Sequence, residues 1–170
     1  MQIAQIAIPK NSIIEKSLPN IDYADCFSCQ FTSIRSIHLD SIVRFLLNSQ
    51  TWWSKNLMKL RNILVKPFGL KTDSDVQPII NFSKGKMTGF FKVLEINEEE
   101  VHLLASDKHL EACLSIIMSK TNNHYEVSIT TTVYFRNTLG HVYFFFIKPF
   151  HKLIVKSMLS RMVNHFSKNQ

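Results

Sequence analysis

The chain has 170 residues, of which 45% are apolar and 19% charged, the usage of a single globular domain with a sizeable core. Three cysteines are too few for a disulfide framework and indicate a reducing compartment, and the longest apolar run, 142–147, is about a third of a bilayer span. The net charge of +7 could attract phosphate on nucleic acid or on an anionic membrane, but a solvated basic surface is the favoured interpretation. We therefore expect a cytoplasmic protein with no cofactor and no nucleic-acid partner.

The first strand follows an N-terminal lead-in. Residues 1–20 contain two prolines and lack the basic leader of a signal peptide, which predicts an extended segment ahead of one domain at 21–168. Alternation from Tyr23 to Thr32 then predicts a strand. Cys26 and Cys29 form a C-x-x-C motif inside this strand, and no second Cys or His pair follows at metal-binding spacing. Buried thiols are therefore favoured over a zinc or redox site, and no metal ligand is assigned.

Two short helices are predicted next. Ser36 is a suitable N-cap for the first, whose apolar residues recur at helical spacing, at Leu39, Ile42, Val43, Leu46 and Leu47. A second apolar stripe runs through 53–64. It ends at Pro67 and Gly69, because proline lacks an amide donor and glycine permits a left-handed turn.

A meander of strands occupies the middle of the chain. Met87–Ile96 is predicted as one strand, with Val101–Ala105 as its hairpin partner after a turn at 98–100. Two longer segments, 110–119 and 125–135, alternate between apolar and polar residues on either side of a turn at 121–123. Each of these two segments is predicted to be a strand with one apolar and one polar face.

The C-terminal stretch from Arg136 to Gln170 contains no acidic residue and predicts one long helix bent at Pro149. We expect its lysines, Lys148, Lys152 and Lys156, to face away from the sheet. The stripe expected to face the sheet comprises Leu139, Val142, Tyr143, Phe146, Phe150, Leu153 and Ile154. After the bend, a second stripe on a rotated face comprises Val155, Met158, Leu159, Met162, Val163 and Phe166.

This order of elements predicts an α+β fold in which helices lie on one side of an antiparallel sheet. Segments between about residues 20 and 165 resemble an uncharacterised bacterial family of the START-like, or SRPBCC, superfamily: 22–25 (DYAD), 60–71 (LRNILVKPFGLK), 107–110 (DKHL) and 137–155 (NTLGHVYFFFIKPFHKLIV). The resemblance implies a helix-grip fold, in which a curved sheet wraps around the long C-terminal helix and two short helices close one end.

The resemblance also implies a function class. Members of this superfamily usually hold an apolar cavity between sheet and helix, which binds lipids, sterols or other hydrophobic molecules. A small hydrophobic molecule or lipid is accordingly the expected partner. An aromatic and aliphatic lining suits such a cavity but also suits a filled core, so both interpretations stand. The candidate lining residues are Phe91, Leu114, Ile116, Ile129, Thr131, Tyr143, Phe146, Phe150 and Ile154.

Three polar residues are further candidates. Asp107 and His109 lie where a strand pair turns, and a carboxylate beside an imidazole can orient a general base, which would suit a cyclase- or hydrolase-like enzyme. No nucleophile stands in a recognised motif, so a hydrogen-bonded turn is favoured and no catalytic residue is assigned. His151 lies at the border of the apolar stripe, where it would bond a ligand or cap a buried polar group. An interaction module with a basic helical surface is the remaining alternative.

Overall fold

A computed structural model of the chain describes residues 3–9, 12–48, 83–88 and 91–167. These residues form one seven-stranded antiparallel sheet in the order β1-β2-β7-β6-β5-β4-β3. The strands are β1 (Ile3–Gln5), β2 (Tyr23–Thr32), β3 (Met87–Thr88), β4 (Phe91–Ile96), β5 (Glu100–Ser106), β6 (Leu110–Thr121) and β7 (His124–Phe135). The helices are a 3₁₀ helix (Ile13–Lys16), α1 (Leu39–Asn48) and the long α2 (Thr138–Ser167).

The α+β architecture predicted from the sequence is confirmed, with its antiparallel sheet and long C-terminal helix. Strand β2 has the predicted bounds, and β6 and β7 extend the two predicted alternating segments by one or two residues. The prediction of one strand at Met87–Ile96 is wrong, because β3 and β4 are two strands that pair with each other, Thr88 opposite Phe91. The predicted second short helix at 53–64, with its end at Pro67 and Gly69, lies outside the described residues.

One face of the sheet, here called the inner face, is covered by helices. Alternate residues of a strand share a face, so Phe27 on β2, Ile129 on β7 and Ile116 on β6 lie side by side in a row across the sheet. All three are at most 1% exposed, and they pack with α1 and with the second half of α2 in the main hydrophobic core. The second predicted stripe of α2 is confirmed by this packing, since Val155, Leu159, Met162 and Val163 are buried there while Met158 and Phe166 pack against it.

The opposite face, here called the outer face, is covered by the described residues of the N-terminal segment, 3–9 and 12–20. β1 pairs with the edge of β2, and the 3₁₀ helix then packs on β6 through the buried Ile14. The residues beneath this segment are short and mostly polar: Cys26, Ser28, Cys113, Ser115, Ser128, Thr130 and Thr132 are all buried on that face. Small side chains allow the segment to lie close to the strands. The centre of β2 and β7 is therefore buried on both faces.

The first half of α2 is rotated relative to the prediction. Val142, Phe146 and Leu153, which were expected to face the sheet, are 50%, 57% and 55% exposed, whereas Phe144 is buried against the ring of Tyr23. The lysines predicted to face away instead reach over the sheet, with Lys148 above the ring of Tyr23. The reason is that residues 142–147 are six consecutive apolar residues, so an apolar side would face the sheet however the helix is rotated about its axis.

The three cysteines are free and buried, which confirms the thiol prediction. Cys26 and Cys29 are three apart on one strand and therefore lie on opposite faces of the sheet. Burial raises the pKa of the Cys29 thiol to about 12 and that of Cys113 to about 11, so both stay protonated at neutral pH. Among the described residues, no helix is long and apolar enough to cross a membrane.

The start of α2 is fixed by a close approach at Gly140. A Cβ atom on this residue would lie 2.2 Å from the backbone carbonyl oxygen of His109. We expect Gly140→Ala to lower the free energy of unfolding by roughly 1–3 kcal/mol, because backbone must move to relieve the clash. Chemical denaturation measures this, with Asn164→Ala at an exposed position of the same helix as the control. The control should be neutral or stabilising, since alanine is the better helix former. Equal stability of Gly140→Ala and the wild type would contradict the close contact.

Candidate functional site

A buried carboxylate lies between the sheet and α2. Asp25 occupies the inner-face position of β2 next to Phe27 and is 4% exposed. The hydroxyl of Tyr23, two residues earlier on the same face, donates a hydrogen bond to Asp25 Oδ2. From the helix, His151 Nε2 lies 3.4 Å from Asp25 Oδ1. Tyr23, Asp25 and His151 thus form a polar cluster, here called the inner cluster, inside an otherwise apolar interface.

The surroundings keep Asp25 ionised. Burial alone would raise the pKa of this carboxyl, but the hydrogen bonds from His151 and Tyr23 and the positive charges of His151 and Lys152 outweigh burial and lower it. The pKa of the Tyr23 hydroxyl is raised, first by burial and then by its bond to Asp25 and the negative charge of that carboxylate. At neutral pH the cluster therefore presents an anionic oxygen held by a neutral phenol and an imidazole.

Basic side chains of α2 border the inner cluster on one side. The ammonium of Lys148 lies 4.8 Å from the ring centre of Tyr23, and that of Lys156 lies 5.3 Å from the ring centre of Phe27. Both rings belong to β2, so this row of lysines follows the β2 side of the helix. Beyond β2, α2 also contacts β7.

Thr131 adds an unpaired hydroxyl to the same region. It is the cross-strand partner of Asp25 on β7 and of Leu114 on β6, so these three residues form one row on the inner face. Thr131 is 5% exposed, and its Oγ1 makes no hydrogen bond within the part of the chain that the structure describes. A buried hydroxyl without a partner costs free energy, so a polar group of a bound molecule would stabilise it.

The predicted lining residues are found in three environments. Ile116 and Ile129 are completely enclosed in the core. Phe146 lies on the exposed side of α2 and does not face the sheet. The half-buried residues are Phe91, Leu114, Tyr143, Phe150 and Ile154. The last three lie within about 40° of one another around α2, on the flank away from the lysines. The ligand-binding role of these residues stays a prediction.

The predicted polar pair, Asp107 and His109, makes local hydrogen bonds at the turn between β5 and β6 and at the start of α2. Asp107 Oδ1 accepts a hydrogen bond from the backbone N–H of Lys108, as expected of a turn. His109 Nδ1 lies 3.0 to 3.2 Å from the side-chain amide of Asn137, the residue before α2, whose Oδ1 also accepts from the N–H of Gly140. In the described residues no hydrogen bond or ion pair joins Asp107 to His109. The turn therefore caps the start of α2.

A second buried polar group, here called the outer cluster, lies on the other side of the sheet. Glu100 Oε1 accepts hydrogen bonds from Ser12 Oγ at 2.8 Å and Ser115 Oγ at 2.5 Å. His102, 2% exposed, is on the same face, with its Nδ1 3.2 Å from Ser17 Oγ. His102 Nε2 lies 3.3 Å from Glu100 Oε1 but makes no hydrogen bond within the described residues. Burial lowers the pKa of His102, although the charges of Glu100 and Glu95 oppose this. The cluster attaches the N-terminal segment to the sheet.

An open cleft of about 540 Å³ lies between the start of α1 and the turn from β4 to β5. His38, Asp40, Ile96 and Glu98 are among its lining residues, and none of the predicted site residues is. Within the described ranges, no group of three or more His, Cys, Asp or Glu side chains is arranged to hold a metal ion. The inner cluster is accordingly the region that best joins buried polar groups with predicted site residues.

Sequence reasoning identified His151 and Thr131 but missed Tyr23, Asp25 and the outer cluster. The signal for Asp25 was present, because the alternation that places Phe27 and Cys29 inside also places Asp25 inside. A charged residue at an inward position of a strand requires a partner. The outer cluster gave no such signal, since Glu100 and His102 alternate with apolar residues as on any exposed strand face.

Comparison with known proteins gives a family but no activity. The model of a family described as "Protein of unknown function (DUF2867)" matches residues 17–158, which is most of the chain. No curated protein and no solved structure matches the chain. The match includes β2 to β7 and the first two thirds of α2, and therefore the whole inner cluster.

The inner cluster makes stability depend on pH. We expect Asp25→Asn to lower the free energy of unfolding at pH 7 by roughly 1–3 kcal/mol, since bonds to an ionised carboxylate are lost. Because the pKa of Asp25 is lowered on folding, its contribution is present above the ordinary value of 3.8 and is lost as pH falls through the folded-state pKa. Urea denaturation of both proteins from pH 7 to pH 3 should show the difference shrinking in the acid range. A difference that does not change with pH would contradict an ionised Asp25.

The contribution of the outer cluster to stability changes at higher pH than that of the inner cluster. Because the pKa of His102 is lowered from 6.5 on folding, the folded state favours the neutral ring, and stability should decline as pH falls below 6.5. We expect wild type to lose more stability than His102→Gln between pH 7.5 and pH 5, which thermal unfolding of the two proteins would measure. Parallel pH profiles would argue that His102 does not titrate differently in the folded and unfolded states.

Proposed function

The chain belongs to the DUF2867 family, whose function is unknown, and we propose from the geometry that it binds a small, largely apolar molecule with one polar group between the sheet and the first half of α2. The observation that carries this proposal is the Thr131 hydroxyl, which is buried beside Asp25 without a hydrogen-bond partner among the described residues. Sites for small molecules typically combine an apolar lining with a few convergent polar groups.

The apolar part of the ligand would lie along the half-buried flank of α2. Tyr143, Phe150 and Ile154 are neither enclosed like Ile129 nor as exposed as Phe146, and Leu114 next to Thr131 is half-buried as well. Partly exposed apolar side chains on this flank and at Leu114 leave surface for an apolar molecule to cover. Covering such surface contributes about 25 cal/mol per Å².

We expect the polar group of the ligand to be uncharged. Asp25 is ionised and already accepts bonds from Tyr23 and His151, so a second carboxylate at this place would be repelled. A hydroxyl or carbonyl oxygen meets no such penalty and would bond the Thr131 hydroxyl. The ligand class that follows is a fatty alcohol, a sterol or a similar neutral lipid.

The finer fold assignment is part of the same proposal. We propose that the domain is of the helix-grip, START-like type, with which an antiparallel sheet carrying a long C-terminal helix on one face is compatible. In such a fold the inner face lies at the base of the ligand site. The row formed by Asp25, Thr131 and Leu114 supports this arrangement, because it places polar and apolar groups together under the helix.

Ligand uptake tests the proposal. Native mass spectrometry of the purified protein, with and without an added fatty alcohol, fatty acid or sterol, should show a bound neutral lipid. Thr131→Val should weaken that binding roughly 3- to 10-fold, the value of one neutral hydrogen bond. The matched control is Thr132→Val, which removes a buried and likewise unpaired hydroxyl from the outer face.

Measuring the free energy of unfolding distinguishes a loss of ligand binding from a loss of folding in this test. Without ligand, Thr131→Val should not lower the free energy of unfolding, because it removes an unpaired hydroxyl and keeps the side-chain shape. Absence of any bound or added lipid in the wild type, or equal loss of binding in Thr131→Val and Thr132→Val, would refute the proposed site.

A further inference from the structure

The first half of α2 carries a continuous apolar face that points away from the sheet. Val142, Phe145, Phe146 and Leu153 are 50%, 74%, 57% and 55% exposed. By helix geometry these four residues lie within about 100° of one another, on a strip about 17 Å long. This strip, here called the outer strip, is on the opposite side of α2 from His151 and the inner cluster.

An exposed strip of this kind is unusual on a helix that also packs on a sheet. The buried side of the same turns carries Phe144, and the half-buried flank carries Tyr143 and Phe150, so this part of α2 is apolar on every side except the one with the lysines. Helices with that pattern are normally enclosed. Contiguous exposed apolar groups of this size mark interaction surfaces.

Charge decides which partner fits the outer strip. The stretch 136–170 contains no Asp or Glu, so no carboxylate of α2 lies beside the strip. The chain as a whole carries a net charge of +7. A second copy docking through the same strip would bring two acid-free helices together, and their charges would repel. An anionic partner is favoured by the same charges.

We propose that the outer strip of α2 docks on an anionic lipid membrane surface. Phe145, Phe146 and Leu153 enter the boundary between headgroups and acyl chains, with α2 lying parallel to the membrane plane, as interfacial helices do. The net charge of +7 attracts the anionic headgroups, because basic residues near a membrane surface add to the attraction and no carboxylate of 136–170 opposes it. The sheet lies on the far side of α2 and is not in the way.

This inference goes beyond the proposed ligand site and does not depend on it. The outer strip and the inner cluster are about 140° apart around the helix, measured from Phe146 to His151. Substitutions on the outer strip leave Asp25, Thr131 and the half-buried flank unchanged. Loss of membrane binding and loss of ligand binding can therefore be observed separately.

Vesicle sedimentation tests the proposal. The 170-residue chain is mixed with vesicles of phosphatidylcholine alone or of phosphatidylcholine with phosphatidylserine, at low and high salt. Wild type should sediment with the phosphatidylserine vesicles, less so at high salt, because salt screens the headgroup charge. The variant Phe145→Ser/Phe146→Ser should bind at least about tenfold more weakly, since two large apolar side chains no longer enter the bilayer.

A matched control is available outside the strip. Ile34 is 74% exposed, like Phe145, and lies in the segment between β2 and α1, so Ile34→Ser removes an equally exposed apolar side chain. It should bind vesicles like the wild type. Circular dichroism of all three proteins should be the same, because every substituted side chain is exposed.

Several outcomes would overturn the proposal. The proposal fails if wild type is not recovered with phosphatidylserine vesicles at low salt, or if it binds neutral vesicles equally well at every salt concentration. It also fails if Ile34→Ser loses as much binding as the double variant. Size-exclusion chromatography showing a dimer that Phe145→Ser/Phe146→Ser abolishes, without vesicle binding, would assign the outer strip to a second copy of the chain instead.

Discussion

The pairing of β2 with β7 is the constraint from which the rest of the structure follows. The two strands are about one hundred residues apart in the chain and pair over ten residues, from Tyr23 with Val133 to Thr32 with His124. Their centre is buried on both faces, which requires two separate covers. Both covers are attached directly to this pair, since the N-terminal segment leads into β2 and α2 follows β7. A long-range pairing thus determines what lies on each side of the sheet.

One polar residue in that pairing determines how α2 sits. Asp25 occupies an inner-face position, and an ionised carboxylate in an apolar interface must be hydrogen-bonded. His151 supplies one bond from α2, while Gly140 allows the helix to start against the backbone of His109. These two contacts fix the rotation of α2 about its own axis. That rotation turns Phe144 inward and leaves Phe145 and Phe146 outside.

The limits of prediction from sequence have the same physical origin. Strands β2 and β7 and the second half of α2 were predicted because their apolar and polar residues alternate with one clear period. The first half of α2 could not be oriented, since 142–147 is apolar at every position and its rotation depends on Asp25, more than a hundred residues away. The outer cluster was missed because a four-residue 3₁₀ helix shows no period, so nothing indicated that Glu100 and His102 would be covered. His151 and Thr131 were identified as polar candidates, but their partner Asp25 was not.

Acidic residues are absent from both sides of α2, and the cause differs between the side toward the sheet and the side facing away from it. On the side toward the sheet, an acid in place of Lys148 or Lys152 would lie near the ionised Asp25 and raise its pKa, which would weaken the bonds from Tyr23 and His151. This explains why the flank next to β2 is basic. It does not explain the outer strip, because a residue facing away from the sheet is free to be polar or acidic without affecting Asp25. An apolar surface that covers them accounts for four apolar side chains at these outward positions, and the absence of acids from α2 favours an anionic surface.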